Sequence, residues 1–327
     1  MCLSREYLYN LVTGKIKGPQ GVFLRGCLFV LSLVYGLAVV ILASFYRIRP
    51  LRLGAKVISV GNITLGGMGK TTLVEYLAAR LSLMGTIIAA MLQKKIPLVR
   101  VVVDKNRIKA EQKAIRDYAS DTLILDDGLQ QWRIFKDLEI VTIDAGNPFG
   151  NYRMLPAGFL REPLSALKRA DIFVLTQVCS GQDLSSLTAK LKGINSRALI
   201  VESRHEPKGV SRLEQADEIL GLEFIQGKPV AIFSGIGNPD GFENCVRGLG
   251  AKVVKSFRFA DHHDYSPADI LRMLREAKEN NLEAIITTQK DAVKIRELGV
   301  QGPEILVLEI KLSITKNEAE FNRRLLK

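Results

Sequence analysis

"VISVGNITLGGMGKTTLVEYL", residues 57–77, decides the fold. Its first residues are a β-branched apolar run of strand length, which predicts a buried strand. Gly61 and Asn62 leave that strand, and "LVEYLAARLSLM" after the glycines has helical periodicity. Strand, glycine-rich turn and helix in this order are the context of a phosphate-binding loop. Gly66, Gly67 and Gly69 let backbone N–H groups approach phosphate oxygens closely. Lys70 supplies a point charge for the β- and γ-phosphates, and Thr71 a hydroxyl for Mg²⁺. The nucleotide-binding set read here is Thr64, Gly66, Gly67, Gly69, Lys70, Thr71 and Thr72, with Thr64 standing where the usual pattern has its first glycine. The plain alternative is a glycine turn that only packs a helix on a strand. The GKT triplet in register after a strand argues against it.

A second strand, "DTLILDDGLQ" (121–130), delivers Asp126 and Asp127 at its end. An acidic residue just past a hydrophobic strand holds Mg²⁺ or its water shell in P-loop proteins. Adjacent carboxylates point to different sides, so only Asp126 is assigned to the metal. An Asp-Gly turn ends many strands; its company with the loop tips the reading to function. Strand-like runs at "LEIVTID" (138–144) and "DIFVLTQ" (171–177) follow. The alternation predicts an α/β fold: a P-loop NTPase-like core with a mostly parallel sheet. A second, smaller α/β lobe begins after a polar stretch near residue 205, with strands at "PVAIFS" (229–234), "EAIITT" (283–288) and "EILVLEI" (304–310). The domains expected are 1–55, a basic and apolar anchor; 56–204, the core; and 205–327, a lobe closing over the active site.

The 327 residues carry a net charge of +12, and the charge is uneven. Eight basic residues and one acid lie between Met1 and Lys56, bracketing Gly26–Tyr46, which has no charge. As a helix this run would extend roughly 31 Å, the thickness of a bilayer core. Basic residues flanking an apolar helix fit anionic lipid headgroups better than nucleic acid. Equal numbers on both sides give no orientation, which suits a monotopic or peripheral anchor. The core is expected to fold and bind nucleotide without it. Four cysteines, Cys2, Cys27, Cys179 and Cys245, show no CxxC spacing. That argues against a zinc site or a disulfide framework and for a reducing compartment.

Six segments, "VISVGNITLGGMGKTT" (57–72), "LILDDGLQ" (123–130), "LPAGFLREPLSALKRAD" (155–171), "FSGIGNPDGF" (233–242), "FADHHDYS" (259–266) and "TTQKDAVKI" (287–295), together resemble the tetraacyldisaccharide 4'-kinases. They occur in family order along nearly the whole chain. The family's loop, GN-x-x-x-GG-x-GKT, also lacks the usual first glycine. The resemblance implies ATP- and Mg²⁺-dependent phosphorylation of the 4'-hydroxyl of a tetraacyl glucosamine disaccharide 1-phosphate in lipid A (lipopolysaccharide) biosynthesis. It implies a place on the cytoplasmic face of the bacterial inner membrane, peripheral or monotopic; the oligomeric state is left open, with a monomer expected. Its partners would be the lipid A disaccharide precursor and an anionic membrane surface, with no nucleic acid. Arg107, in "DKNRIKA", and Arg161 and Glu162, in "LREP", match family substrate-binding positions. An arginine fork suits a phosphate-bearing substrate; without the resemblance each would read as a surface charge. His262 matches a histidine that assists the catalytic base, and His263 reads as a supporting or surface residue.

One departure stands out. The family has a long stretch after the loop's helix, with a Ser-Arg-Gly-Tyr motif and a Gly-Asp-Glu-Pro motif whose Asp is thought to be the base. Here the interval is "GTIIAAMLQKKIPLVRV" (85–101), and neither motif is present. Asp127 and His262 are then the remaining proton-handling groups. Losing a positioned base typically costs ~10²–10⁴-fold in rate. A catalytically impaired ATP- or lipid-binding relative is one alternative. Another is a membrane-associated P-loop ATPase switch; those proteins generally carry a lysine before the glycine pair, where this chain has Leu65.

Overall fold

The computed structural model describes residues 5–66, 69–83, 88–91, 100–101, 107–179, 181–260, 263–296, 298 and 305–326. The chain forms two compact units, one of residues 1–204 with 312–327 and one of residues 205–311. The first unit opens with α1 (Arg5–Val12) and α2 (Pro19–Arg47), then β1 (Lys56–Asn62), α3 (Lys70–Ser82), β2 (Ile88–Met91) and β3 (Arg100–Val101). It continues with α4 (Arg107–Tyr118), β4 (Thr122–Asp126), β5 (Leu138–Asp144), β6 (Ile172–Thr176), α5 (Ser185–Ile194) and the start of β7 (Leu199–Arg212). Its strands lie in the order β7-β6-β5-β1-β4-β2-β3. β1 pairs in parallel with β4 and with β5, and β6 in parallel with β5 and with β7. This is the parallel sheet expected of a P-loop core.

β1 is buried along both faces, which is why it reads as an unbroken apolar run rather than an alternating one. Ile58 and Val60 pack with Leu73, Val74, Leu77 and Leu81 of α3. Val57 packs on the opposite face with Leu123, Leu125 and Ile134. The period of two then puts Asn62 on the α3 side and Gly61 on the other. There a Cβ at Gly61 would lie 2.5 Å from Leu129 Cβ and 2.6 Å from its backbone nitrogen.

The second unit contains β8 (Gln215–Leu220), β9 (Pro229–Ser234), α6 (Pro239–Gly248), β10 (Lys252–Arg258), α7 (Pro267–Glu279), β11 (Ala284–Thr288), α8 (Gln289–Arg296) and most of β12 (Ile305–Lys316). Its parallel strands run β10-β9-β11-β12, and β8 pairs antiparallel with the end of β7. Ala231, Phe233 and Ile285 face one apolar layer, and Val230, Ile232 and Ile286 the other. Residues 312–327, read from the sequence as part of this lobe, belong to the first unit. There Leu312 and Ile314, with Phe321 and Leu325 of α9 (Glu318–Leu326), join the core beneath α3.

The N-terminal segment is likewise part of the first unit rather than a detachable leader. Helix α2 starts at Pro19, suited to the first helical turn, and runs about 44 Å. Gly21, Ser32, Val39 and Ala43 are its buried positions. The Tyr35 hydroxyl donates to the Arg161 carbonyl at 3.1 Å. A Cβ at Gly36 would sit 3.3 Å from the Met154 sulfur. In α1, Leu11 is buried and the Tyr9 ring lies 5.9 Å from that of Phe159. Phe23, Val30, Val34, Leu37, Ile41 and Phe45 of α2 are exposed and apolar. Residues 151–161 pack on this segment.

The close approach at Gly61 gives a stability test. Gly61→Ala is expected to cost about 1–3 kcal/mol through overpacking against Leu129. Gly54→Ala, where nothing lies within 4 Å of the added carbon, is expected to stay within about 0.5 kcal/mol of the parent. Denaturant midpoints of the two variants check this.

Candidate active site

β1 leads into residues 63–65, which run antiparallel to 159–161. Thr64 bridges Leu160, the Leu65 amide donates to the Phe159 carbonyl at 2.6 Å, and the Arg161 amide to the Ile63 carbonyl at 2.8 Å. Thr64 thus sits in extended, strand-paired backbone, where a β-branched residue is favoured and a glycine serves no purpose. The chain then turns through Gly66, at φ 105°, whose carbonyl accepts from the Asn62 side-chain amide. Gly69 precedes α3 at φ 88°, a left-handed conformation natural to glycine. No side chain caps this helix start, so its first N–H groups form the kind of terminus that takes an anion. Gly67 lies outside the described residues. Thr71 is exposed on the first turn, and the Thr72 hydroxyl donates to the Gly69 carbonyl at 3.0 Å.

Lys70, the first residue of α3, is only 7% exposed. Its ammonium donates to Asn62 Oδ1 at 2.9 Å and to Asp127 Oδ1 at 2.5 Å. Asp127 follows Asp126, the last residue of β4, at φ 57°. Its second oxygen, Oδ2, accepts from Arg161 Nη1 at 2.6 Å. Burial alone would raise the Asp127 carboxyl. The hydrogen bonds and charges of Lys70 and Arg161 outweigh it and hold the group below the usual carboxylate value. The structure therefore brings together Lys70, Asp127 and Arg161, three residues singled out from distant stretches of sequence. Both oxygens of Asp127 are engaged with cations, so in this arrangement the carboxylate is a poor proton acceptor.

Arg161 and Glu162 are neighbours with different settings. Arg161 is part-exposed, whereas Glu162 is 1% exposed. Glu162 Oε2 accepts from Arg169 Nη1 at 2.8 Å and Oε1 from Arg169 Nη2 at 2.9 Å. Oε1 also receives Trp132 Nε1 and Gln130 Nε2, each at 3.2 Å. The structure thus finds Glu162, expected on the substrate, turned into the protein. The sequence reading gave Asn62, Gln130 and Arg169 no role in the site, although each lies in a segment that carries the family resemblance. Arg107 opens α4. His262 lies outside the described residues. In the second unit, the His263 ring stacks on Phe259 at 4.6 Å and lies 3.4 Å from Asp269 Oδ2.

The sequence matches the family model for tetraacyldisaccharide-1-P 4'-kinase over residues 24–90 and 88–327. A tetraacyldisaccharide 4'-kinase from Halothermothrix orenii is 32% identical over 364 aligned positions, covering 94% of each chain. One from Elusimicrobium minutum is 32% identical, covering 93% of this chain and 91% of its own. Among solved structures, the "apo" form of LpxK from Aquifex aeolicus in complex with ATP superposes with a TM-score of 0.71 at 24% identity. It covers 93% of this chain and 100% of its own, and so shares the fold. The family match breaks at 88–90, and the Halothermothrix alignment is longer than this whole chain. The break in the family match lies inside the interval 85–101.

Asp127 also sets a pH dependence. Its folded-state pKa is depressed, so its contribution to stability is present above the ordinary value of 3.8 and is lost as pH falls through the folded value. Asp127→Asn is expected to lower the melting temperature at pH 7 and to flatten the acid limb below about pH 4. Melting curves from pH 7 to pH 2 check both.

Proposed function

The chain belongs to the tetraacyldisaccharide-1-P 4'-kinase family, and we propose that it transfers the γ-phosphate of ATP to the 4'-hydroxyl of a tetraacyl disaccharide 1-phosphate. One observation carries the reading furthest. The nucleotide loop and the "LREP" segment converge on a single carboxylate, Asp127, through Lys70 and Arg161. A phosphoryl-transfer site needs positive charge on both sides of the transferred group, and positioning with charge stabilisation supplies most of the catalysis.

In this reading the start of α3 and Lys70 cradle the β- and γ-phosphates. Phosphate oxygens compete with Asp127 for Lys70 and Arg161. As the cations turn to them, Asp127 loses the partners that depress its pKa and becomes available to the sugar hydroxyl. Arg107 and Arg161 engage the anionic lipid headgroup, and His262 takes the base-assisting role its family position implies. Glu162 serves from within the protein by fixing the backbone at Arg161.

Mg²⁺ fits the donor set. Thr71 offers a hydroxyl on the first turn of α3, and Asp126 a carboxylate at the end of β4. No cluster of three or more His, Cys, Asp or Glu occurs among the described residues. An ion that keeps several waters and leans on phosphate oxygens needs only one or two protein oxygens. When bound it neutralises charge on the β- and γ-oxygens.

The exposed face of α2 inserts into the cytoplasmic leaflet while the opposite face stays on the first unit. That is monotopic association, because a helix with one side on folded protein is not surrounded by lipid. A second reading, an ATP-binding relative with impaired turnover, is favoured by the short interval at 85–101. A reconstituted assay with ATP, Mg²⁺ and the disaccharide 1-phosphate in mixed micelles separates the two. Product carrying a 4'-phosphate supports the kinase; ATP binding without product supports the impaired relative.

Lys70→Ala is expected to lower transfer by about 10²-fold or more, since a charge aimed at the transferred phosphoryl group is lost. Circular dichroism should show the fold retained. Activity near that of the parent would remove the loop from the mechanism.

A further inference from the structure

We infer that Gln130 and Arg169 are positioning residues for phosphoryl transfer, forming with Glu162 a buried relay that sets the guanidinium of Arg161. Glu162 is almost fully buried and accepts four hydrogen bonds, which fills the capacity of a carboxylate. Arg169 clamps it in a bidentate pair and also donates to the Leu129 carbonyl at 3.2 Å. Such a pair, with both partners shielded from water, holds Glu162 in one orientation.

The consequence reaches the site through Gln130. Its Nε2 donates to Glu162 Oε1 at 3.2 Å and to the Asn62 carbonyl at 3.3 Å. Two acceptors on one side leave the amide a single orientation, with its oxygen on the other. That oxygen, Oε1, accepts from Arg161 Nη1 at 3.4 Å. The same Nη1 holds Asp127. Gln130 therefore touches both arms of the site: Arg161 directly, and Lys70 through Asn62, whose side chain accepts from the ammonium. A buried ion pair that served the fold alone would need no such polar outlet. Here Glu162 orients Gln130 only because Arg169 orients Glu162.

Removing the Gln130 amide leaves Glu162 with its Arg169 and Trp132 donors, so the fold is kept while Arg161 loses a guide. A misplacement on the order of 1 Å in a positioning group costs up to about 10²-fold in rate. Gln130→Ala is expected to lower kcat by about 10- to 100-fold, with the KM for ATP and the melting temperature unchanged. Arg169→Lys keeps the charge but loses the bidentate clamp, and is expected to lower kcat in the same sense. In an Arg161→Lys background, which has no Nη1 to guide, Gln130→Ala is expected to add no more than about a 2-fold loss. The proposal is overturned by an unchanged kcat, by the same factor in both backgrounds, or by a fall that tracks lost melting temperature or ATP binding.

The kinetic arm rests on the kinase reading, which the parent protein's own turnover tests. A second arm does not. Phenylglyoxal modification of Arg161 without substrate, followed by peptide mass spectrometry, should be faster in Gln130→Ala and in Arg169→Lys than in the parent. Equal rates would overturn the relay whether or not the parent transfers phosphate.

Discussion

A carboxylate shared by two cations is the constraint on which the rest of the site depends. Lys70 and Arg161 would repel each other if left to themselves; Asp127 gives each an oxygen and keeps both within reach of one point. Everything around it serves that geometry. Asp127 takes a positive φ just past β4, and Gly128 beyond it donates its amide to the Val60 carbonyl at 3.0 Å. Asn62 holds the ammonium from the strand side, and the pairing of 63–65 with 159–161 fixes Arg161 beside the loop. Arg161 is thus tied to the loop segment by main-chain hydrogen bonds as well as by charge.

This dependence explains what the sequence could reveal. The strand, loop and helix at 56–82 were legible because their signals are local: a β-branched run, glycines at fixed offsets and helical periodicity. The parallel sheet followed from repeating that pattern. The site was legible only in its charged members, since lysine, aspartate and arginine in recognisable motifs announce phosphate chemistry. Asn62 and Gln130 carry no such announcement. Their roles come from where an amide points, and that depends on partners as far away as Arg169. The direction of Glu162 was likewise illegible: neighbouring Arg161 and Glu162 look alike on paper, and only the partners buried beneath the segment decide which faces outward. The return of residues 312–327 to the first unit is a long-range packing event with no local signature.

The N-terminal helix shows the same limit from another side. Its length and composition announce an affinity for lipid, yet composition cannot tell an anchor on a tether from one packed on the domain. The buried positions Ser32, Val39 and Ala43, with Tyr35 donating to the Arg161 carbonyl, place one face against the first unit. Through Tyr35, the helix proposed to meet lipid also meets the residue proposed to meet the substrate. An enzyme acting on an amphiphile gains from this, because the reactive hydroxyl need not travel far from the interface to reach the site.

The short interval at 85–101 can now be placed in the first unit's sheet. The break in the family match falls within β2, and the strand order ends β4-β2-β3. The break thus lies near one end of the sheet, one strand removed from β1, which leads into the loop, in a strand that pairs with β4 on one side and with β3 on the other. β2 is in register with β3 and β4 only, whereas the central strand β1 sets the register of β4 and β5 together. A change at this end of the sheet leaves the cation pair and its carboxylate in place. What the family resemblance implies is missing there is the proposed base, whose service would be to the sugar hydroxyl and not to ATP. The two halves of the chemistry are thereby separated, with phosphate capture resting on β1, α3 and β4 and proton removal on whatever reaches the hydroxyl from elsewhere. The cost of the short interval should therefore fall on turnover and leave nucleotide affinity untouched.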